Sequence, residues 1–192
     1  MTEEIKQPLP AHHTEIVEES KALGFTMLSD QLTGSLLRTL AASKPSGKFL
    51  DMGTGTGLSA SWILDGMDDQ STLITIDNDS KFQDVAKKYL GNDKRVEIIL
   101  TDGGEWVAKN SNRKFDYIFA DTWHGKFLLL EEVLSMLNKG GLYIIDDMLP
   151  QPNWPDGHHE KVVNLINHLE TQTDLVLTKQ VWSTGIVVAV KK

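Results

Sequence analysis

The sequence contains no cysteine. This absence excludes disulfide bridges, zinc sites built on thiolates and thiol nucleophiles, although it does not distinguish a cytosolic protein from an exported one. Long apolar runs are also missing, and none approaches the roughly 20 residues that a membrane-spanning helix needs. The opening residues, MTEEIKQPLP, lack the basic and then apolar order of a signal peptide. We therefore expect a cytoplasmic protein.

The chain has no excess of positive charge either. Its 19 basic and 27 acidic residues give a net charge of −8, which repels polyphosphate and weakens non-specific binding to nucleic acid. No basic patch with interleaved aromatic residues is visible. We expect a small-molecule substrate as the partner, in preference to a membrane or a nucleic acid, while formation of a homodimer stays open.

What the sequence does contain is an alternation of apolar runs and helix-like stretches along its 192 residues, a length that suits one domain. Nearly continuous apolar runs predict five buried parallel strands, at residues 49–52, 73–76, 96–100, 117–120 and 142–145. Helices are predicted at 13–23, 31–42, 58–67, 81–90, 105–109, 126–137 and 158–171, with a break at 24–30. The helix at 126–137 has the clearest apolar stripe, formed by Phe127, Leu130, Val133, Leu134 and Leu137.

The last two apolar runs, 175–180 and 184–190, have no helix between them and therefore predict an antiparallel hairpin. The expected fold class is α/β, with a Rossmann-like seven-stranded sheet of five parallel strands plus a C-terminal antiparallel pair, and helices on both faces. We expect residues 1–45 to form an N-terminal helical segment that packs on the same domain, which residues 46–192 make up.

A glycine-rich turn follows the first predicted strand. In the segment FLDMGTGTG, residues 49–57, glycines occupy alternate positions at Gly53, Gly55 and Gly57, directly before a helix. Glycine allows positive φ and exposes backbone amides, and the helix N-terminus adds partial positive charge, so a ligand can contact the backbone here. A dinucleotide fingerprint would need a third glycine at position 58, where the chain has Leu58, and this disfavours a nicotinamide oxidoreductase.

Acidic residues follow the next two predicted strands. Asp77 ends the second strand, where an acid can accept hydrogen bonds from both hydroxyls of a ribose, and this position predicts a bound nucleoside. Asp102 follows the third strand at the edge where ligands bind in such sheets. Two readings of Asp102 stay open, adenine recognition and an N-cap for the helix that follows it.

With these residues in place, the chain resembles the catechol-type and caffeoyl-coenzyme-A-type O-methyltransferases, small enzymes with a seven-stranded sheet. The resemblance covers most of the chain and rests on the glycine turn and on the segments MLS at 27–29, LITID at 73–77, FAD at 119–121 and IIDD at 144–147. It implies a methyltransferase that uses S-adenosylmethionine, with Asp51, two residues before the first glycine, bound to the ammonium group of the cofactor directly or through water. The cofactor-binding residues that it implies are Met27, Asp51, Gly53, Thr54, Gly55, Gly57, Ser59, Asp77, Asn78, Asp102, Gly103 and Asp121.

The resemblance also implies a metal site that holds Mg²⁺ or Ca²⁺ and binds both oxygens of a catechol. Its ligands correspond to Asp121 at the end of the fourth strand and to Asp146 and Asp147 at the end of the fifth. Three oxygen ligands suit a hard cation, which lowers the pKa of a bound hydroxyl. The chain departs from the family at Asp147, where the family has Asn.

A second departure concerns the general base. The family places a lysine three residues after the first metal ligand, and this chain has His124 there. A histidine can act as a base near neutral pH, but it can equally be a metal ligand or a surface residue. Lys126 is the weaker candidate for the same catalytic role.

The sequence therefore predicts a metal-assisted O-methyltransferase that acts on a small hydroxylated, catechol-like acceptor. Trp123 and Trp154 are candidates for stacking on that acceptor, with packing of loops as the alternative. Two other functions stay open. One is a metal-independent methyltransferase whose aspartates bind another acceptor, such as an amine, and the other is a module that binds the cofactor without catalysis.

Overall fold

The structure is a computed structural model that describes residues 7–152 and 154–192. Its strands are β1 (Lys48–Met52), β2 (Thr72–Asp77), β3 (Val96–Leu100), β4 (Phe115–Ala120), β5 (Leu137–Ile145), β6 (Leu175–Gln180) and β7 (Ile186–Lys191). They form one sheet in the order β3-β2-β1-β4-β5-β7-β6. Strands β1 to β5 pair in parallel, and β7 pairs antiparallel with both β5 and β6. The predicted seven-stranded fold is confirmed.

Seven helices connect or flank these strands in the described part of the chain. They are α1 (His13–Leu23), α2 (Gln31–Ala42), α3 (Leu58–Gly66), α4 (Ser80–Leu90), α5 (Gly103–Asn110), α6 (Leu130–Ser135) and α7 (His158–Thr171). Asp30 is the N-cap of α2 and Asp79 is the N-cap of α4, and each carboxylate accepts hydrogen bonds from two backbone amides of the first turn. Within residues 7–152 and 154–192, no helix combines the length and the apolarity needed to cross a bilayer.

The side chains of the central strands alternate between two cores, one on each face of the sheet. On β4, Tyr117 and Phe119 belong to the core that α1, α2 and α3 cover, whereas Ile118 belongs to the core that α5, α6 and α7 cover. All three are fully buried. Helices therefore cover both faces of the sheet. Because strands β1 to β5 are parallel, their carboxyl ends meet at one edge of the sheet, where loops carry the polar residues.

The helix predicted at 126–137 is wrong in both of its bounds. Helix α6 begins only at Leu130, because Leu129 has a left-handed φ of 56° and the chain from Trp123 to Leu128 folds into a tight turn. In that turn the carbonyl of Trp123 accepts hydrogen bonds from the amides of Phe127 and Leu128, at 2.9 and 3.0 Å. The apolar residues that predicted one helix therefore belong to a turn, to a short helix and to the start of β5, which begins at Leu137.

The two N-terminal helices pack on the rest of the chain through close contacts. Helix α2 lies against α3 at Gly34, where an added Cβ would come within 2.3 Å of Nε1 of the fully buried Trp62. His13 of α1 packs edge-on against the same indole, with ring centroids 5.6 Å apart. A hydrogen at Gly34 is what allows the backbone of α2 to approach this ring.

We expect Gly34→Val to lower the free energy of unfolding by about 2 kcal/mol or more, because overpacking of a dense core costs roughly 1–3 kcal/mol. Denaturant unfolding followed by circular dichroism measures this change. The matched control is Thr39→Val on the exposed side of the same helix, which places the same valine side chain there without the clash. Equal unfolding free energies for the two variants would contradict the proposed contact.

Candidate active site

A cleft of about 890 Å³ lies at the carboxyl edge of the sheet. It collects residues from the loop after α1, from the glycine turn, and from the loops that follow β2, β3, β4 and β5. The predicted site residues that line it are Met27, Gly53, Gly55, Asp77, Asn78, Gly103, Asp121, His124, Lys126, Asp146 and Asp147. The remaining predicted residues, Asp51, Thr54, Gly57, Ser59 and Asp102, are not part of its wall. These positions bring most of the predicted site together and leave the role of each residue as a prediction.

The glycine turn is tightly enclosed and has an unusual backbone conformation. Gly53 has φ of +119°, and an added Cβ would come within 2.8 Å of Cγ2 of Thr122 and 3.0 Å of the carbonyl oxygen of Asp121. The amides of Gly53 and Thr54 donate to the carbonyl of Ile76, at 3.0 and 3.1 Å. The turn is therefore held between the ends of β2 and β4, and only glycine fits its first position.

Asp77 bridges the glycine turn and the loop after β2. Its Oδ2 accepts a hydrogen bond from the amide of Gly55 at 2.7 Å, and its Oδ1 accepts one from the amide of Asp79 at 2.9 Å. Each carboxylate oxygen retains a further lone pair for a ligand. Because these two bonds orient the carboxylate at the wall of the cleft, its remaining acceptor capacity is available to hydroxyl groups there.

Asp51 lies beneath the turn and is fully buried. Its Oδ2 accepts hydrogen bonds from the hydroxyls of Thr75 at 2.7 Å and Ser59 at 3.3 Å, and the hydroxyl of Thr75 also contacts that of Thr54 at 2.7 Å. Its Oδ1 has no hydrogen-bond partner among the described residues. Burial, opposed in part by the bond from Thr75, raises the pKa of Asp51 to about 7. A buried carboxylate with one unpartnered oxygen suits an interaction with a cationic group of a ligand bound at the glycine turn.

The loop after β3 and the ring of His124 meet on one side of the cleft. Asp102 is the N-cap of α5, since its side chain accepts from the amide of Glu105 at 3.0 Å. An added Cβ at Gly103 would come within 2.9 Å of Nδ1 of His124, so the imidazole lies directly on the start of the helix. The structure thus places His124 beside the start of α5.

Lys126 is the side chain that the turn between Trp123 and Leu128 directs toward the carboxylates. Its Nζ lies 3.2 Å from Oδ1 of Asp121, and its side chain is only 6% exposed. The turn is held from below by the hydroxyl of Tyr143, which donates to the carbonyl of Gly125, and Gly125 has φ of +86°. Gly125 permits this left-handed turn, but the presence of a glycine in the sequence does not by itself show that the turn brings Lys126, and not His124, to Asp121.

The three aspartates of the predicted metal site each have other partners. Oδ1 of Asp146 accepts from the hydroxyl of Thr184 at 2.6 Å and from the amide of Asp147 at 2.7 Å. Both carboxylate oxygens of Asp147 face Nε1 of Trp154, at 3.1 and 3.0 Å, and Asp147 has a left-handed φ of 63°. Within residues 7–152 and 154–192, no group of three or more acidic or histidine side chains is arranged to hold a metal ion. In this arrangement the aspartates do not fit the implied Mg²⁺ or Ca²⁺ site.

Burial also affects the two aspartates nearest Lys126. It raises the pKa of Asp146 to about 7, with the charge of neighbouring Asp121 acting in the same direction. Burial likewise raises the pKa of Asp121, and the ammonium of Lys126 opposes that rise. The ammonium of Lys126 thus offsets part of the cost of burying the carboxylate of Asp121.

Aromatic rings close the cleft on the side of α7. His158 lies at the start of that helix, with its ring centroid 4.5 Å from that of Trp154, 5.1 Å from Phe127 and 6.0 Å from Trp123. Its Nδ1 is buried without a hydrogen-bond partner among the described residues. Sequence reasoning placed the two tryptophans at this edge, but it assigned Phe127 to a helix stripe.

Thr184 and Phe25 also line the cleft, and neither of them was identified as a site residue from the sequence. Thr184 precedes β7 and reaches Asp146 only because β7 lies next to β5 in the sheet. Phe25, in the loop after α1, lies over the glycine turn, where an added Cβ at Gly55 would come within 2.8 Å of its ring. Neither position carries a local sequence signal, since each depends on a contact between distant segments.

Comparison with known proteins identifies the family of the chain. Residues 50–148 match the family described as a methyltransferase domain. A protein of Mycolicibacterium smegmatis that is provisionally named an O-methyltransferase is 30% identical over 119 residues, which cover 58% of this chain and 56% of that protein. The chain spans about half the length of the curated relatives it matches.

Solved structures show the same fold over nearly the whole chain. The O-methyltransferase from Bacillus cereus, in complex with S-adenosylhomocysteine, has a TM-score of 0.85 at 19% identity and covers 98% of this chain and 94% of its own. A Staphylococcus aureus protein provisionally named a caffeoyl-CoA O-methyltransferase has a TM-score of 0.78 at 20% identity, with coverages of 93% and 91%. The match over residues 50–148 confirms the methyltransferase family, and the solved structures confirm the fold.

The buried acid beneath the turn leads to a prediction about pH and stability. The ordinary pKa of an aspartate is 3.8 and that of Asp51 in the folded chain is about 7, so the folded state binds this proton more tightly than the unfolded state. The free energy of unfolding therefore loses the contribution of Asp51 as the pH rises from about 4 to 7, with a slope of at most about 1.4 kcal/mol per pH unit.

We expect Asp51→Asn, which removes this titration, to gain stability relative to the parent protein progressively between about pH 4 and pH 7. Denaturant unfolding at several pH values measures the difference. Asp69→Asn, at an exposed aspartate, is the matched control for the same chemical change outside the core. A difference for Asp51→Asn that does not change with pH would refute the assigned pKa.

Proposed function

The chain belongs to a methyltransferase family, and on that basis we propose that it transfers a methyl group from S-adenosylmethionine to an oxygen atom of a small hydroxylated acceptor. The observation that supports this function most is the cleft at the carboxyl edge of the sheet. Its wall presents the glycine turn and Asp77 together with Lys126 and the aspartates. Its volume of about 890 Å³ is near the upper end of the roughly 300–1,000 Å³ of single-ligand pockets, which suits a cofactor and an acceptor together.

In this proposal the glycine turn and the acids around it bind the cofactor. Asp77 accepts hydrogen bonds from the two ribose hydroxyls, since the amides of Gly55 and Asp79 already orient its carboxylate. Asp51 binds the ammonium group of the methionine part through water, because Asp51 is fully buried and its Oδ1 has no partner among the described residues. The B. cereus protein of the same fold was crystallised with S-adenosylhomocysteine, which supports this choice of cofactor.

The reaction requires mainly that two molecules be held in line. An oxygen lone pair of the acceptor forms a bond to the methyl carbon while the carbon–sulfur bond breaks, and its electron pair stays on sulfur, which becomes a neutral thioether. The acceptor hydroxyl loses its proton to solvent. Orientation of this kind converts a bimolecular step into an effectively unimolecular one.

The aromatic rings near α7 favour a flat acceptor. Trp123, Phe127, Trp154 and His158 line the cleft next to Asp147, and such rings bind other aromatic rings by stacking or by edge contacts. The proposed acceptor is therefore a small molecule with an aromatic hydroxyl group. The proposal includes no Mg²⁺ or Ca²⁺ ion, because the aspartates that would hold it are bonded to Thr184, Trp154 and Lys126.

We expect Asp77→Asn to weaken the binding of S-adenosylhomocysteine about 10- to 100-fold, because hydrogen bonds to a charged group contribute roughly 1.5–3 kcal/mol. Titration calorimetry measures the affinity. Asp84→Asn, which changes an exposed carboxylate on α4, is the matched control and should bind the ligand as the parent protein does. Equal affinities for all three proteins would remove Asp77 from the cofactor site.

The methyl transfer itself is tested by incubation with S-adenosylmethionine and a panel of phenols, catechols and amines, followed by mass spectrometry. We expect phenolic acceptors to gain one methyl group. Methylation of amines alone would contradict the assignment to oxygen. Cofactor binding without a methylated product from any acceptor would favour a binding module without catalysis.

A further inference from the structure

Lys126 has donors to spare in the cleft. Its ammonium carries three N–H groups, and within residues 7–152 and 154–192 its one hydrogen-bonding partner is Oδ1 of Asp121 at 3.2 Å. The side chain lines the cleft and is 6% exposed. Burial of a charged side chain with only one partner is costly, so a further ligand for this ammonium would be bound with little competition from water.

The three aspartates around it are arranged for the protein's own donors and not for an ion. Asp121 is bonded to Lys126, Asp146 to the hydroxyl of Thr184, and Asp147 to the indole of Trp154. The left-handed backbone of Asp147 accompanies this last contact. A divalent ion in this place would meet the ammonium of Lys126 and would have to displace the indole of Trp154, which contacts both carboxylate oxygens of Asp147.

We propose that the Lys126 ammonium takes the place of the family's divalent ion and binds the acceptor oxygen that receives the methyl group. This inference rests on the proposed function and deepens it, since it names what holds the acceptor. The acceptor hydroxyl gives its proton to solvent, the resulting oxyanion is held by the free N–H groups of Lys126, and an oxygen lone pair attacks the methyl carbon. Sulfur leaves with the bonding electron pair, and Lys126 remains an ammonium throughout.

The replacement has a consequence for substrate choice. A divalent ion can bind two neighbouring oxygens at once, which selects for catechols, whereas one ammonium that is already bonded to Asp121 stabilises one oxyanion. The singly charged group also stabilises that oxyanion less than a divalent ion would. We therefore expect acceptors with one acidic, phenol-type hydroxyl to be methylated about as well as catechols.

Direct titration with metal ions provides a test that does not depend on activity. The parent protein, with S-adenosylhomocysteine bound, is titrated with Mg²⁺, Ca²⁺ and Mn²⁺ in a calorimeter, and Asp146→Asn is titrated in parallel. We expect no saturable binding by either protein up to millimolar ion. Saturable binding by the parent protein that is lost in Asp146→Asn would overturn the inference.

The second test removes the charge at Lys126. We expect Lys126→Met to lower kcat about 100-fold or more, the loss typical of one removed oxyanion donor, while S-adenosylhomocysteine binds with unchanged affinity and shows that the cleft is folded. Lys126→Arg keeps the charge and should recover part of the rate. Lys109→Met, at an exposed lysine of α5, is the matched control and should keep the parent rate. Equal rates for Lys126→Met and the control would overturn the inference.

Failure of the inference about Lys126 can be distinguished from failure of the proposed function. Methylation that stops in a chelator and resumes with Mg²⁺ or Ca²⁺ would overturn the role of Lys126 and leave the proposed O-methyltransferase intact. Methylation of phenols that persists in the chelator supports both. If no acceptor is methylated under any condition, the proposed function fails, and the metal titration still decides whether the aspartates bind an ion.

Discussion

Burial of negative charge at the carboxyl edge of the sheet is the constraint on which the rest of the site depends. Asp51 and Asp146 are buried, and Asp121 is partly buried beside them. Isolated carboxylates in such surroundings are costly, and the protein offsets the cost with hydroxyls, backbone amides and one ammonium. Lys126 reaches Asp121 from the turn after β4, and because the chain forms this turn first, α6 begins only at Leu130.

The glycine turn shows a second constraint, which is lack of space. The ends of β2 and β4 enclose Gly53, and the ring of Phe25 covers Gly55. A backbone held this closely keeps its amides at the wall of the cleft without side chains in front of them. Burial raises the pKa of the acid beneath it, Asp51, so its charged form lowers the stability of the folded protein, and local instability of this kind is common at functional sites.

Much of the fold follows from local patterns. The strands are apolar on both faces because helices cover both sides of the sheet, and the bounds of α1, α2, α7 and β6 agree with the prediction. The helix at 126–137 failed because apolar spacing does not distinguish a helix from a turn whose residues pack in the same core. Phe127 is in contact with Trp123 and His158, so its apolar character has a tertiary cause.

The sequence by itself determined the order of the strands along the chain, the glycine turn and the acids at the strand ends, because each of these features depends only on residues that are neighbours in the sequence. Only the tertiary structure decided which side chains meet there. Lys126 and not His124 lies on Asp121 because a left-handed glycine reverses the chain between them, and Thr184 reaches Asp146 because β7 lies next to β5. Such contacts depend on the path of the whole backbone, which no local pattern specifies.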